Sequence, residues 1–182
     1  MVMHSALNSN VGLRLTAQAT ARPELLGIAT PIGSHRQGTH RRYCTISLRD
    51  LDERSSSIAA GLQAMGIGPN HRIALLVKFG EDFIALVFAL LKTGATLVLV
   101  DPGMGRKNLL NCLAETQPDG FVAIPLAQAI LKAKRSLFPS AKFFVTVGRR
   151  RGYYARRLGP AVDALTMRRD LPPDGASWLA KP

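Results

Sequence analysis

The 182-residue sequence predicts an α/β fold: a partial, mainly parallel sheet with helices on both faces. Three observations lead there. Four short runs, residues 72–77 (RIALLV), 95–100 (ATLVLV), 121–124 (FVAI) and 142–147 (KFFVTV), are rich in apolar and β-branched residues and have strand length. The intervals between them carry helical patterns, the spacing of βαβ units. The runs are also continuous rather than alternating, as in strands covered on both sides.

Taken in order, residues 1–8 are expected to be disordered, and residues 11–21 form a short helix ended by Arg22-Pro23. Residues 27–30 (GIAT, stopped by Pro31) and 42–46 (RYCTI) read as strands around a polar loop. Ser47 caps the next helix, with Asp50 three residues on as a capping-box partner. Its apolar positions are Leu51, Ile58, Leu62 and Met65, close to a 3.6 period, and Gly66 is its expected C-terminal glycine. Gly68-Pro69-Asn70 then turns the chain into the strand at 72–77.

Residues 81–92 follow as a helix with acids at its start and Lys92 at its end, matching the helix dipole. The strand at 95–100 is broken by Asp101-Pro102-Gly103. A helix over 106–116 buries Leu109, Leu110 and Leu113, and Pro118-Asp119-Gly120 turns into the strand at 121–124. Pro125 opens a helix reaching about residue 137, since a first-turn proline lacks only an N–H that has no helical partner. Residues 138–140 (FPS) end it before the strand at 142–147. The alternation stops at Gly148, and 149–182 reads as a basic, irregular tail with one short amphipathic piece at 161–167.

Composition narrows the function. Hydrophobic residues make up 47% of the chain, too many for a wholly disordered protein. Cys44 and Cys112 stand far apart with no CxxC, so neither a disulfide scaffold nor a zinc cage is indicated; two buried, reduced thiols in a cytoplasmic protein are expected. The apolar stretch 83–100 (FIALVFALLKTGATLVLV) has just the length of a membrane span. Lys92 at its centre would cost about 3 kcal/mol on insertion scales, so helix, turn and buried strand is the reading, with no membrane span. The net charge of +12 is uneven: residues 132–182 hold 12 of the 24 basic groups and three of the 12 acids.

Candidate chemistry is sparse. The turn at 101–108 (DPGMGRKN) follows a strand and precedes a helix, as a phosphate loop does, but its pattern is GxGxxN, with Asn108 where a dinucleotide fingerprint needs Gly or Ala. A small nucleotide-binding module using Gly103–Asn108, and Gly105 in particular, is one alternative function. The histidines at 4, 35, 40 and 71 have no spaced partners that suggest a metal or a triad, and no GxSxG motif occurs. Tyr153 and Tyr154 lie between Arg149–Arg151 and Arg156–Arg157, which makes nucleic-acid binding through residues 149–169 a second alternative. No recognition motif accompanies that segment, so nucleic acid is not the expected partner.

Three stretches carry a resemblance. Residues 46–76 (ISLRDLDERSSSIAAGLQAMGIGPNHRIALL), 86–105 (LVFALLKTGATLVLVDPGMG) and 109–127 (LLNCLAETQPDGFVAIPLA), running on to VTVGRR at 145–150, resemble the adenylate-forming (AMP-binding) acid–CoA ligase superfamily. The DPGMG turn and AETQPDGFVAIP are most like the branch containing the fatty acyl-AMP ligase-like, olefin-biosynthesis β-lactone synthetases. The likeness covers about residues 9–150 and implies that 9–148 is an incomplete N-terminal subdomain of that fold.

The resemblance implies a family that uses ATP and Mg²⁺ to activate a carboxylic acid, releasing pyrophosphate. It also implies a Gly/Ser/Thr-rich phosphate loop ending in Lys, a metal-binding Glu, a ribose-binding Asp and a late catalytic Lys. None of these has a match here. The matching residues are scaffold: Gly66, Gly94, Asp101, Pro102 and the apolar strands. The expectation is therefore that no catalytic, cofactor-binding or metal-binding residue is carried by this chain and that it binds ATP weakly. It reads as a truncated, frame-shifted or split gene product, for which a complementing C-terminal polypeptide is a candidate partner.

Overall fold

The computed structural model describes residues 10–32 and 42–148. The expected disordered start, the polar loop around His35 and His40, and the basic tail lie outside the described residues.

The chain divides into two compact units. The first comprises Met1–Ala60 and Lys78–Gly94. It contains α1 (Val11–Ala21), β1 (Leu26–Ile32), β2 (Arg42–Ser47), most of α2 (Leu48–Ala64) and α3 (Glu81–Thr93). The Asn10 carboxamide caps α1 by accepting from the Gly12 N–H at 2.8 Å. The strands pair antiparallel, from Leu26 opposite Ser47 to Ile32 opposite Arg42. β1 does not stop at Pro31 as expected; Pro31 sits opposite Tyr43. A two-stranded sheet has only edges, where proline's missing N–H need not be replaced.

The capping box forms as read. Ser47 Oγ accepts from the Asp50 N–H at 3.1 Å, and the Asp50 carboxylate accepts from the Ser47 N–H at 3.2 Å. Leu15, Leu51 and Ala85 are the buried centre of this unit, with Ile28, Ile46, Ile58 and Phe88 against them. Cys44 is exposed on β2, contrary to the expected buried thiol, because the two-stranded sheet leaves most of that strand uncovered.

The second unit comprises Gly61–Val77 and Ala95–Pro182. Its described elements include β3 (Arg72–Leu76), β4 (Thr96–Val98), α4 (Arg106–Glu115), β5 (Gly120–Ala123), α5 (Pro125–Ala133) and β6 (Phe143–Thr146). The four strands are parallel in the order β4-β3-β5-β6. On one face Ala74, Phe121, Ala123 and Phe144 pack with Leu113 of α4, Leu131 of α5 and Phe138. On the other, Ile73, Leu75, Val122 and Val145 are equally buried. The interior strands are thus covered on both sides, as the continuous apolar runs require. β4 departs from the expected buried strand 95–100: it is three residues long and partly exposed, because it lies at a sheet edge.

The apolar stretch 83–100 resolves as helix, turn and strand. Gly94 ends α3 in the left-handed conformation at φ 78°. Among the described residues no helix is long and apolar enough to cross a membrane.

Candidate functional site

In an open parallel sheet, ligands gather where neighbouring strands send their connections in opposite directions. The order β4-β3-β5-β6 places that switch at the carboxyl ends of β3 and β5. The 101–108 turn follows β4, one strand away. On the β5 side of the switch the chain continues as Ile124-Pro125-Leu126, with Leu126 largely exposed. That connection is apolar and has no glycine-rich loop.

The 101–108 turn is closed on itself. The Asp101 carboxylate accepts from the Gly103 N–H at 2.8 Å, and the Met104 N–H bonds back to the Asp101 carbonyl. Gly105 takes a positive φ of 84°, and α4 begins at Arg106 without a side-chain cap. Asn108 Nδ2 donates to the Met104 carbonyl at 3.0 Å, so its side chain braces the turn. A phosphate cradle needs free N–H groups and positive potential. Here the Gly103 N–H is taken, and a carboxylate stands at the mouth. Gly105, at positive φ, serves the turn.

The remaining sequence candidates are scattered. His71 Nδ1 accepts from the Gly68 N–H at 3.2 Å, and its ring meets Phe143 edge-on at 5.1 Å. Cys112 is half-buried on α4. No group of three or more His, Cys, Asp or Glu side chains that could hold a metal occurs among the described residues. His4, His35, His40 and the 149–169 segment lie outside the described residues. On α5, burial and then the neighbouring Arg135 guanidinium lower the Lys132 pKa from its ordinary value.

The structure reveals polar groups that the sequence reading had not assigned. In the first unit, Lys92 Nζ lies 2.5 Å from Asp52 Oδ1 and donates to the hydroxyls of Ser55 and Ser56, both at 2.8 Å. Thr16 of α1 donates to the same Asp52 oxygen at 2.7 Å. Arg54, its side chain 6% exposed, pairs with Asp82 and lies 3.7 Å from Glu81 in the first turn of α3. A shallow groove lined by Ala19, Thr20, Pro23, Arg49, Asp52 and Glu53 borders this cluster, but Arg49 is paired with Glu24 and Asp52 with Lys92. In the second unit, buried Gln128 donates through Nε2 to the carbonyls of Phe121 at 3.3 Å and Val145 at 2.7 Å. The available signal was a charge or amide inside an otherwise apolar helix, as with Lys92 and Gln128. These contacts fasten the scaffold.

Sequence comparison identifies the family to which this fold belongs. Residues 24–150 match the AMP-binding enzyme family, and the chain belongs to that family. It is 43% identical over 141 residues to an olefin β-lactone synthetase of Xanthomonas campestris, covering 78% of this chain and 25% of the relative. It is 42% identical over 146 residues to the olefin β-lactone synthetase of Stenotrophomonas maltophilia, covering 79% and 26%. A solved long-chain-fatty-acid-CoA ligase from Archaeoglobus fulgidus shares the fold with a TM-score of 0.65 at 15% identity, over 81% of this chain and 29% of that one. The chain thus spans about a quarter of the length of the curated relatives it matches.

Proposed function

We propose that residues 9–148 are an incomplete N-terminal subdomain of an ATP-dependent acid ligase. The whole enzyme would adenylate a fatty-acyl-type or 3-hydroxy acid carboxylate, releasing pyrophosphate, in the cytoplasm. This chain alone would be inactive. The observation that carries the reading is the 43% identity to an olefin β-lactone synthetase across 78% of the chain.

Electrostatics supports the proposed inactivity. Nucleotidyl transfer is driven chiefly by groups placed to stabilise phosphoryl charge. The 101–108 turn, the one stretch with a phosphate-loop pattern, spends the Gly103 N–H internally, which supports the reading. ATP and Mg²⁺ would be held by the rest of a full-length ligase.

The test is carboxylate-dependent ATP–pyrophosphate exchange. The purified 182-residue chain should show none with medium- to long-chain 3-hydroxy acids. Exchange should appear when it is co-expressed with the remainder of the Xanthomonas campestris synthetase. Robust exchange by the chain alone, lost when the acid is omitted, would overturn the proposed inactivity. No exchange from the co-expressed pair with any fatty or 3-hydroxy acid would overturn the proposed activity.

A further inference from the structure

A surface helix usually turns its polar side to water. α5 does the opposite. Gln128 and Leu131 are buried toward the sheet, while Leu126, Ala129 and Ala133, which share one face at helical spacing, are exposed. Leu126 is 70% exposed, and Leu137, in the turn Arg135–Leu137 that follows the helix, is 42% exposed.

Cations gather at the end of this face. Lys132, Lys134, Arg135 and Lys142 are all exposed. The Arg135 guanidinium donates to the Ala141 carbonyl at 2.7 Å and lies 4.7 Å over the Phe144 ring. That contact holds Arg135 beside the turn that leads to Lys142. Residues 120–148 contain these four basic groups and no Asp or Glu. The acid just before them, Asp119, is engaged in accepting from the Arg72 N–H at 2.8 Å. Burial and then the like charge of Arg135 lower the Lys132 pKa, a repulsion that a facing anion would offset. The helix dipole accounts for Lys132 in the last turn, but not for Lys142 beyond it or for the outward leucines.

We propose that the outer face of α5 and the cations at its end form a peripheral docking surface for an anionic lipid membrane. Interfacial helices sink an apolar face among the headgroups and keep Lys and Arg at its border. Anionic headgroups then attract each cation that comes near them. A nucleic acid would match the charge but has no use for exposed leucines, and no aromatic ring within 120–148 is exposed for base stacking. A second copy carries the same net charge of +12 and repels. Residues 149–169 hold seven arginines against one acid, the wrong sign to cover these lysines. The cations lie at the amino ends of the strands and the switch point at their carboxyl ends, so this surface is separate from the proposed ligase chemistry.

The experiment is co-sedimentation of the full 182-residue chain with vesicles of phosphatidylglycerol and phosphatidylethanolamine, with phosphatidylcholine vesicles as the uncharged control. The chain should bind the anionic vesicles, less so as salt rises, and should leave phosphatidylcholine in suspension unbound. Lys132→Gln, Lys134→Gln and Lys142→Gln together should weaken binding about tenfold or more. Leu126→Ser with Leu137→Ser keeps every charge and should weaken it about fivefold. Arg149→Gln, Arg150→Gln and Arg151→Gln together should weaken it less than the lysine variant does. The side chains replaced within 126–142 are exposed, so circular dichroism should show the fold intact; if the lysine variant does not fold, the leucine pair decides.

Several results would overturn the proposal. The chain could ignore anionic vesicles, or bind phosphatidylcholine equally well. Binding lost only in the arginine variant would place the contact in 149–151. Binding unchanged in the leucine pair would reduce it to bare charge. RNA binding through these lysines without vesicle binding would assign the surface to nucleic acid. Vesicle binding abolished by co-purification with the remainder of the Xanthomonas campestris synthetase would show that a whole ligase covers this face.

Discussion

The two units hold themselves together by different means. The first uses buried charge: Lys92 with Asp52, and Arg54 with Asp82 and Glu81, tie the ends of α3 to α2. Asn10 Nδ2 adds a bond to the Leu91 carbonyl at 3.0 Å. Its fully buried apolar centre is small. The second unit uses volume: Phe121 meets Phe138 edge-on and Phe144 at a tilt, with ring centroids 5.0 and 5.7 Å apart, beside Leu113 and Leu131. Burying an ion pair stabilises only when both partners remain, because each charge has lost its water. Apolar packing tolerates change in proportion to the space left or overfilled. The first unit should therefore be sensitive to single charge removals and the second to single volume changes.

The largest effect is expected in the aromatic core. Phe121 is 0% exposed, and Phe121→Ala should cost about 4 kcal/mol in urea unfolding. A loss under about 1 kcal/mol would mean that these rings do not form the core. Next, Lys92→Met removes the charge partner of the Asp52 carboxylate, leaving it the Thr16 hydroxyl, and should cost about 3 kcal/mol. Pairing it with Asp52→Leu should recover most of that loss, since two apolar groups need no partner. A double variant as unstable as the sum of the singles would show that the charge pair is not the tie.

Gly120→Ala tests the second unit by overfilling. A Cβ there would stand 2.5 Å from Phe143 Cβ, and about 2 kcal/mol of stability should be lost as β5 and β6 separate. Hydrogen exchange should place that loss at β5 and β6; faster exchange in α1 and α3 instead would contradict it. Smallest is Ser47→Ala, which removes the α2 cap and should cost about 1 kcal/mol. No measurable change in urea unfolding would show that the capping box adds nothing.

Much of the fold was legible locally. Gly66, Gly94 and the Pro118-Asp119-Gly120 turn mark element ends because positive φ and missing N–H groups are properties of single residues. The helix over 81–92 and the strand at 72–77 agree with α3 and β3 to within one residue at each end. The 101–108 turn was also legible as a turn, with Asn108 where a dinucleotide fingerprint needs Gly or Ala, but the bond by which the Asn108 side chain braces it was not. Its distance from the switch point was not legible, since that depends on which strand lies beside which.

The sequence by itself determined the alternation of strands and helices, the α/β class and the family, because periodicity, turn chemistry and motif spacing are short-range. The tertiary structure decided the order β4-β3-β5-β6, the antiparallel partner of β1, the edge positions of β4 and β6, and what a lone lysine in an apolar helix is for. Each of these is a choice of partner. Lys92 reaches Asp52 across 40 positions and Asn10 reaches Leu91 across 81, so neither contact has a local signature. Burial makes an unpaired charge or backbone group costly, but only the folded chain determines which distant group answers it.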